Sequence, residues 1–324
     1  MKICFTGLGS IAARHIRNLQ SLFPKGVQID VVRSGKGKPI GEEIVPLIHQ
    51  VYEDYEKLPD DYDVVFITNP TRLHYETLQR MLPIGKAFFI EKPVFETGYE
   101  ELEGLKQKKG SIFYVACPLR YTNVIQYLKK HVDFSSVYSV RSISSSYLPE
   151  WRPDSDYRTS YSAKRELGGG VSLDLIHEWD YVCYLIGIPK RVKSIITRKS
   201  ELEIDSDDLA VYLGEYEDKV AELHLDYFGR APIRKLELFG REDTIEADLL
   251  KQCITYRKRG EVVSLWEDRD SYQRKELKHF FRMVHGEAVN DNPVERACQM
   301  IRIARGEDGS RPDSQKEKEE KRVL

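Results

Sequence analysis

Through the first 116 residues, short apolar runs alternate with stretches whose apolar residues recur at helical spacing. The runs at 3–6, 27–32, 63–68, 87–90 and 112–116 are four to six residues long and bounded by Gly, Pro or Asn, so they read as strands. Between them Ile11, His15, Ile16, Leu19 and Leu22 mark one helix, and helices are predicted at 75–81 and 99–108. Residues 42–58 are less regular, with a tyrosine-rich acidic patch. Strands alternating with helices predict βαβ units and a parallel sheet. Cys117-Pro118-Leu119-Arg120-Tyr121 breaks the alternation, so a boundary is expected at 118/119. Beyond it come a helix carrying Val124, Ile125, Leu128 and Val132, a long strand at 137–147, and a helix over 172–186. After Pro189 the pattern turns to β, with strands at 192–197, 209–216, 220–228, 233–239, 244–247, 253–256 and 261–265. Ala221, Leu223, Leu225 and Tyr227 alternate with Glu222, His224 and Asp226, which predicts a sheet with one more polar face and makes His224 a sheet-surface residue. Helices resume at 272–284 and 294–304, and the charged tail 306–324 lacks apolar periodicity, so disorder is expected there.

Composition narrows the function classes. The chain of 324 residues is long enough for two domains. A net charge of −2 gives no electrostatic case for nucleic acid or an anionic membrane. No apolar run approaches the roughly 20 residues of a membrane span. The N-terminal strand meets a glycine turn almost at once, unlike a signal peptide, so a cytoplasmic location is expected. Five cysteines lie scattered without CxxC spacing, which predicts neither a zinc site nor a disulfide framework.

The first strand runs into Gly7-Leu8-Gly9-Ser10-Ile11-Ala12, a G-x-G-x-x-A turn that opens a helix. Here the first glycine makes the turn, the second lets backbone approach a pyrophosphate, and a small third residue permits close helix–strand packing. Dinucleotide binding is therefore expected on the helix N-terminus. The fold class follows: α/β, with an N-terminal Rossmann parallel sheet (1–118) and a C-terminal α/β domain (119–305) built on a large, mostly antiparallel open sheet. The second strand ends in Arg33-Ser34, followed by Gly35-Lys36-Gly37-Lys38. Cations and a hydroxyl suit a 2′-phosphate, which favours NADP over NAD; a solvated basic turn is the other reading. Asp30, inside the strand, is expected to point elsewhere.

Candidate chemistry sits at strand ends and one helix. The apolar run at 87–90 ends in Glu91-Lys92-Pro93, and Pro93 stops the strand. Burial and nearby positive charge would make such a lysine a proton donor and acceptor. Thr68-Asn69-Pro70-Thr71 and His74 follow another strand end, where open parallel sheets bind ligands. Trp151, Arg152, Tyr157 and Arg158 lie in a loop whose composition suits hydroxylated or anionic ligands, or plain surface. After Leu167-Gly168-Gly169-Gly170, Asp174 and His177 fall three apart on a predicted helix, so an acid can lie beside a base. A solvated helix face with a capping Asp is the alternative.

Together these motifs resemble the glucose–fructose oxidoreductase / inositol dehydrogenase family, written Gfo/Idh/MocA, over nearly the whole chain short of the tail. The carriers are Gly7-x-Gly9-x-x-Ala12, Thr68-Asn69-Pro70-Thr71 with His74, Glu91-Lys92-Pro93, Arg120-Tyr121, and Gly168-Gly169-Gly170 followed by Asp174 and His177. The resemblance implies a Rossmann domain plus an α/β domain whose open sheet serves oligomerisation, as a dimer or tetramer. It carries the chemical roles of the motif lysine and the helix histidine to Lys92 and His177. The segments 147–167 and 174–178 look like members linked to surface-polysaccharide or acid-sugar biosynthesis. The family's usual D-x-x-x-H is D-x-x-H here, which would rotate Asp174 relative to the standard pair.

The expected activity is hydride transfer between a nicotinamide cofactor and a secondary alcohol or carbonyl of a sugar, sugar nucleotide or polyol. Lys92, His177 and Asp174 are the catalytic candidates, with an amine from the first domain and an imidazole from the second meeting at one sugar oxygen. Either Lys92 or His177 can be the main acid/base. The cofactor site is expected to draw on Gly7, Gly9, Ser10, Ile11, Ala12, Arg33, Ser34, Thr68, Asn69, Pro70, His74, Glu91, Lys92 and Arg120. The substrate site is expected to draw on Lys92, Trp151, Arg152, Tyr157, Arg158, Asp174 and His177, and no metal is expected. Two alternatives stay open: a sensor that binds NAD(P) and sugar without turnover, and reduction of a non-sugar substrate.

Overall fold

A computed structural model describes residues 1–35 and 39–307, apart from the side chains of Lys106 and Gln107. Lys36, Gly37 and Lys38 of the basic turn and residues 308–324 of the tail lie outside the described residues. The chain groups into two compact units. One holds Met1–His131, Glu166–Gly168 and Ser264–Cys298; the other holds Val132–Arg165, Gly169–Val263 and the chain from Gln299 on.

The first unit contains β1 (Lys2–Thr6), α1 (Ser10–Leu22), β2 (Gln28–Val32), β3 (Gln50–Tyr52), β4 (Tyr62–Ile67), α2 (His74–Met81), β5 (Gly85–Ile90), α3 (Glu103–Gln107), β6 (Ile112–Val115) and α4 (Asn123–His131). Its sheet has the order β3-β2-β1-β4-β5-β6, with every pairing parallel. Chain order reverses beside β1, the switch point at which such sheets open a crevice. Central strands of a parallel sheet are covered on both faces, which is why β1, β4 and β5 are continuous apolar runs. β3 has no counterpart among the strands predicted from the sequence; three residues are too few to display a period, and pairing with β2 makes it a strand.

The helix Ser271–Val284 belongs to this unit, although it follows the β-rich region in sequence. Leu277, Phe280, Phe281 and Met283 are buried in the same core as Phe5, Phe66 and Phe89. Phe280 meets Phe89 edge-on with ring centres 5.3 Å apart. Burying each phenylalanine contributes on the order of 1.5–3 kcal/mol.

The second unit contains β7 (Val137–Tyr147), α5 (Val171–Asp174), α6 (His177–Ile186), β8 (Arg191–Thr197), β9 (Leu209–Glu215), β10 (Val220–Asp226), β11 (Phe228–Gly240), β12 (Thr244–Asp248), β13 (Cys253–Tyr256) and β14 (Glu261–Ser264). Its eight-stranded sheet has the order β14-β13-β12-β11-β7-β10-β9-β8. The β7–β10 pair is parallel, and the other registered pairs are antiparallel. Val140, Ala221, Leu223, Leu236 and Tyr212 are buried on one face. Trp179 of α6 packs there, its ring edge-on to Tyr212 at 5.5 Å. The opposite face mixes Arg141, Glu222 and Glu237 with exposed Ile195, Leu213 and Val220.

Two expectations need correction here. The single helix over 172–186 is two helices, because the chain leaves helical geometry at Leu175 (φ −97°, ψ 26°). The strands expected at 220–228 and 233–239 meet differently. β10 ends at Asp226 and β11 begins at Phe228, with a register shift between Phe228 and Ile233. Asp226 is itself buried, since its carboxylate accepts from the Phe228 and Gly229 N–H groups and from Ser145 Oγ.

Candidate functional site

In the first unit, β1 delivers the chain to Gly7, whose φ is +86° and whose N–H donates to Val32 O at 2.8 Å. A Cβ at Gly7 would stand 3.0 Å from Asn69 Cα, so both conformation and space require glycine. Gly9 is the N-cap of α1 and offers no side-chain cap to the helix. A Cβ there would meet no protein atom within 4 Å. Ala12 is fully buried against the sheet core, which is the packing role of the small third residue. The turn opens on a cleft of about 660 Å³ lined by Gly7, Gly9, Ser10, Arg33, Ser34, Asn69 and Pro70 among others. Uncapped N–H groups of a 13-residue helix, close glycine backbone and a roomy crevice fit a dinucleotide pyrophosphate. Glu43, Glu53 and Tyr55 line the same cleft. Asp30 does not reach it, because its carboxylate is buried and bonded to Tyr62 and His49.

The remaining residues expected around the cofactor sort into different roles. Thr68 Oγ1 donates to the carbonyls of Thr6 and Gly7, tying the end of β4 to the glycine turn. Asn69 Nδ2 donates to Thr77 Oγ1 at 2.7 Å. His74 is buried, with Nε2 2.8 Å from Asn69 O and Nδ1 3.1 Å from the carbonyls of Pro93 and Val94. It lies between the Asn69 turn and the segment after Lys92, and a neutral ring, with one N–H, clamps to the carbonyls of one side at a time. Burial holds the ring below its ordinary pKa despite those carbonyls. The Arg120 guanidinium is buried and donates to Asp291 O and Asn292 Oδ1, which ties it to that chain segment. Ile11 is half-buried in the first turn of α1.

Glu91 and Lys92 follow β5. Glu91 Oε1 lies 2.6 Å from His15 Nε2, and its Oε2 accepts the Lys92 N–H. Burial pushes the Glu91 carboxyl up, but His15 and Lys92 outweigh it and hold it below the usual carboxylate range. Lys92 is half-buried, and the Lys92–Pro93 peptide is cis. The His15–Glu91 pair escaped sequence reasoning, because His15 sits on what reads as the apolar stripe of α1.

In the second unit, Gly169 and Gly170 lead into α5. A Cβ on Gly169 would lie 2.1 Å from Tyr161 O, and one on Gly170 would lie 2.2 Å from Asp207 Oδ1. Asp207 caps the turn through the Val171 and Ser172 N–H groups. Asp174 ends α5, is buried, and accepts from the Tyr227 hydroxyl at 2.6 Å; burial first, and the Asp174 charge next, push the Tyr161 hydroxyl well above its ordinary pKa. Burial first, and the Asp174 charge second, push the Tyr227 hydroxyl well above its ordinary pKa. His177 begins α6 and is half-buried. Asp174 and His177 thus belong to separate helices, and the three-apart helical argument for the pair does not apply.

The expected substrate loop divides. Trp151 packs edge-on against Tyr227 at 5.3 Å, and its Nε1 donates to Ser146 Oγ. Arg158 is committed to Asp156 and Glu203, and Arg152 is exposed. Tyr157 borders a pocket formed with the ends of β7 and β8 and the start of β11. Tyr227, the donor to Asp174, carried no sequence signal beyond the apolar alternation at 221–227. Among the described residues no cluster of His, Cys, Asp or Glu is placed to hold a metal, and no helix is long and apolar enough to cross a membrane.

Residues 1–116 match the model of an oxidoreductase family with an NAD-binding Rossmann fold, and residues 125–246 match the Gfo/Idh/MocA C-terminal domain. The chain belongs to the Gfo/Idh/MocA family. It is 30 % identical over 179 residues to a D-xylose dehydrogenase of Paenarthrobacter nicotinovorans, covering 52 % of this chain and 45 % of that one. It is 29 % identical over 158 residues to an NADP-dependent scyllo-inositol 2-dehydrogenase of Bacillus subtilis, covering 47 % and 43 %. The chain thus spans less than half the length of these two relatives. Among solved structures, UDP-N-acetylglucosamine 3-dehydrogenase from Acidithiobacillus ferrooxidans superposes with a TM-score of 0.75 at 19 % identity, covering 94 % of this chain and 95 % of that one. Levoglucosan dehydrogenase in complex with NADH and levoglucosan superposes with a TM-score of 0.78 at 18 % identity and the same coverage. At such identities the likeness establishes the Gfo/Idh/MocA fold.

Proposed function

We propose that the protein is an NAD(P)-dependent oxidoreductase acting on a secondary alcohol or carbonyl of a sugar, sugar nucleotide or related polyol. The carrying observation is the cleft at Gly7 and Gly9, into which α1 presents an uncapped N-terminus. The nicotinamide would supply the hydride-exchanging carbon. Residues 1–118 hold the cofactor, and residues 119–305 hold the sugar. The α1 N–H groups bind pyrophosphate, while Arg33 and Ser34 favour NADP over NAD in a cleft that also holds Glu53. Lys92 Nζ and the His177 ring are the groups that bind the reacting oxygen and exchange its proton. Asp174, fixed by Tyr227, acts as a positioning residue for the start of α6. The exposed apolar residues on the free face of the eight-stranded sheet support a homo-oligomer, and the protein works in the cytoplasm.

The relatives' names support the sugar class. A panel of sugars, inositols and sugar nucleotides, followed by absorbance of the reduced cofactor, tests the activity. Lys92→Met and His177→Asn should each lower kcat by about 10²- to 10⁴-fold and remove a limb of the pH–rate profile. Near-native turnover in both would end the assignment. Arg33→Ala should raise the NADP KM at least tenfold and leave that for NAD within about twofold.

A further inference from the structure

His15 is a polar side chain in an apolar slot. It lies on α1, its side chain is 1 % exposed, and its ring packs against Phe66 at 5.7 Å and edge-on against Phe89 at 5.1 Å. Ring nitrogens placed there have lost their water and need partners within the protein. Nε2 has one, Glu91 Oε1 at 2.6 Å. Nδ1 is buried and has no hydrogen-bond partner among the described residues. An ionised carboxylate only accepts, so Nε2 carries the N–H and donates.

The other oxygen of Glu91 serves the lysine. The Glu91 N–H still donates to Ile67 O of β4, so the sheet ladder reaches Glu91. The Lys92 N–H is the first beyond it, and it donates to Glu91 Oε2 at 3.2 Å. A side-chain carboxylate thus takes over where the strand partner stops. Burial acts most strongly on the Glu91 carboxyl and pushes it up, and His15 leads the groups that pull it back. Without that donor the carboxyl moves toward its neutral form, a weaker acceptor for the Lys92 N–H. His15, Glu91 and Lys92 all belong to the first unit, and His15 stands on the helix whose N-terminus faces the cofactor cleft.

We propose that His15 is a positioning residue for Lys92: by donating to Glu91 it holds the carboxylate on the Lys92 N–H and so fixes where the lysine leaves the sheet. The proposal rests on the reading of Lys92 as a group that binds the reacting oxygen and exchanges its proton. It adds a residue of α1 to the machinery, so that one helix both faces the cofactor and sets the main chain of the lysine.

The Lys92 amide proton reads the contact without turnover. In the full chain labelled with nitrogen-15 lysine, its NMR signal, identified by its loss in Lys92→Met, should titrate as Glu91 takes up a proton and stay flat in Glu91→Gln. His15→Phe keeps a ring and removes the donor, and its midpoint should lie at least about one pH unit higher than the parent's. His15→Gln keeps a donor in nearly the same place and should bring the midpoint back toward the parent. With a sugar that supports turnover, His15→Phe and Glu91→Gln should each lower kcat about 10- to 100-fold, with the NADP Kd within about twofold. Glu91→Gln changes charge and not shape, so its kcat decides the matter if His15→Phe does not fold. A midpoint in His15→Phe within about 0.3 unit of the parent's, or a kcat that either variant keeps within about twofold, overturns the proposal. A shifted midpoint in a protein whose parent reduces no cofactor with any sugar would sink the oxidoreductase reading and leave the hold of His15 on Lys92 standing.

Discussion

Two glycine turns each feed a helix, one in each unit, and they do opposite work. At Gly9 an added Cβ would point into open space beside an uncapped 13-residue helix. At Gly169 it would strike a carbonyl oxygen at 2.1 Å, and at Gly170 a carboxylate at 2.2 Å. The first turn leaves open the space that a ligand would need to come close. The second omits side chains because its own chain already occupies the space. Glycine before a helix therefore marks close approach of something, and the surroundings decide whether that is a ligand or the protein itself.

The largest test of this contrast is Gly169→Ala. A methyl group so near the Tyr161 carbonyl forces the turn apart, and the expected loss is about 3 kcal/mol or more by denaturant titration. A change below about 1 kcal/mol would show the second turn to be as open as the first. Tyr227→Phe comes next. It strips the Tyr227 donor from the buried Asp174 carboxylate, costing about 1–3 kcal/mol. The stability should fall, and His177-dependent turnover should fall with it if Asp174 positions α6. Gly9→Ala should weaken cofactor binding about tenfold, or ~1.4 kcal/mol, yet leave stability within about 0.5 kcal/mol. If stability fell and cofactor affinity did not, the roles assigned to the two turns would have to be exchanged.

The smallest effect concerns the clamp behind the cofactor turn. Burial keeps His74 neutral in the folded protein, so below about pH 6.5 the unfolded chain takes up the proton more readily. Stability is then fully present above that pH and declines as the pH falls, at no more than about 1.4 kcal/mol per unit. Glu91 adds to the decline only below its ordinary range near pH 4.3, where its stabilised carboxylate is protonated. Thermal melts from pH 7.5 to 5.5 should show the decline in the parent and a flatter line in His74→Gln. Parallel lines would remove His74 from the account.

Residues whose neighbours are close in sequence were legible before any coordinates. The G-x-G-x-x-A turn, the buried strands of the parallel sheet and the ends of most β-strands follow from local period and turn chemistry. The three-residue β3 was not legible, since its strand character comes from β2 across the sheet. Arg120 was expected at the cofactor alongside the family resemblance that the Arg120-Tyr121 pair carries; its tie to Asp291 and Asn292 shows only in the folded chain. Arg230 fell between the strands expected at 220–228 and 233–239, and the fold instead places it inside β11 over the ring of Tyr147.

By itself the amino-acid order determined the class of fold, the place where a pyrophosphate can lie, and the lysine and histidine worth testing. These depend on repeat length, glycine spacing and residue type, all readable along one dimension. Tertiary structure alone decided that the helix Ser271–Val284 completes the core of the first unit, that Asp174 and His177 sit on separate helices, and that His15 meets Glu91. Each of those outcomes depends on which distant side chains share a buried volume, and burial is a property of the packed chain that no local pattern contains.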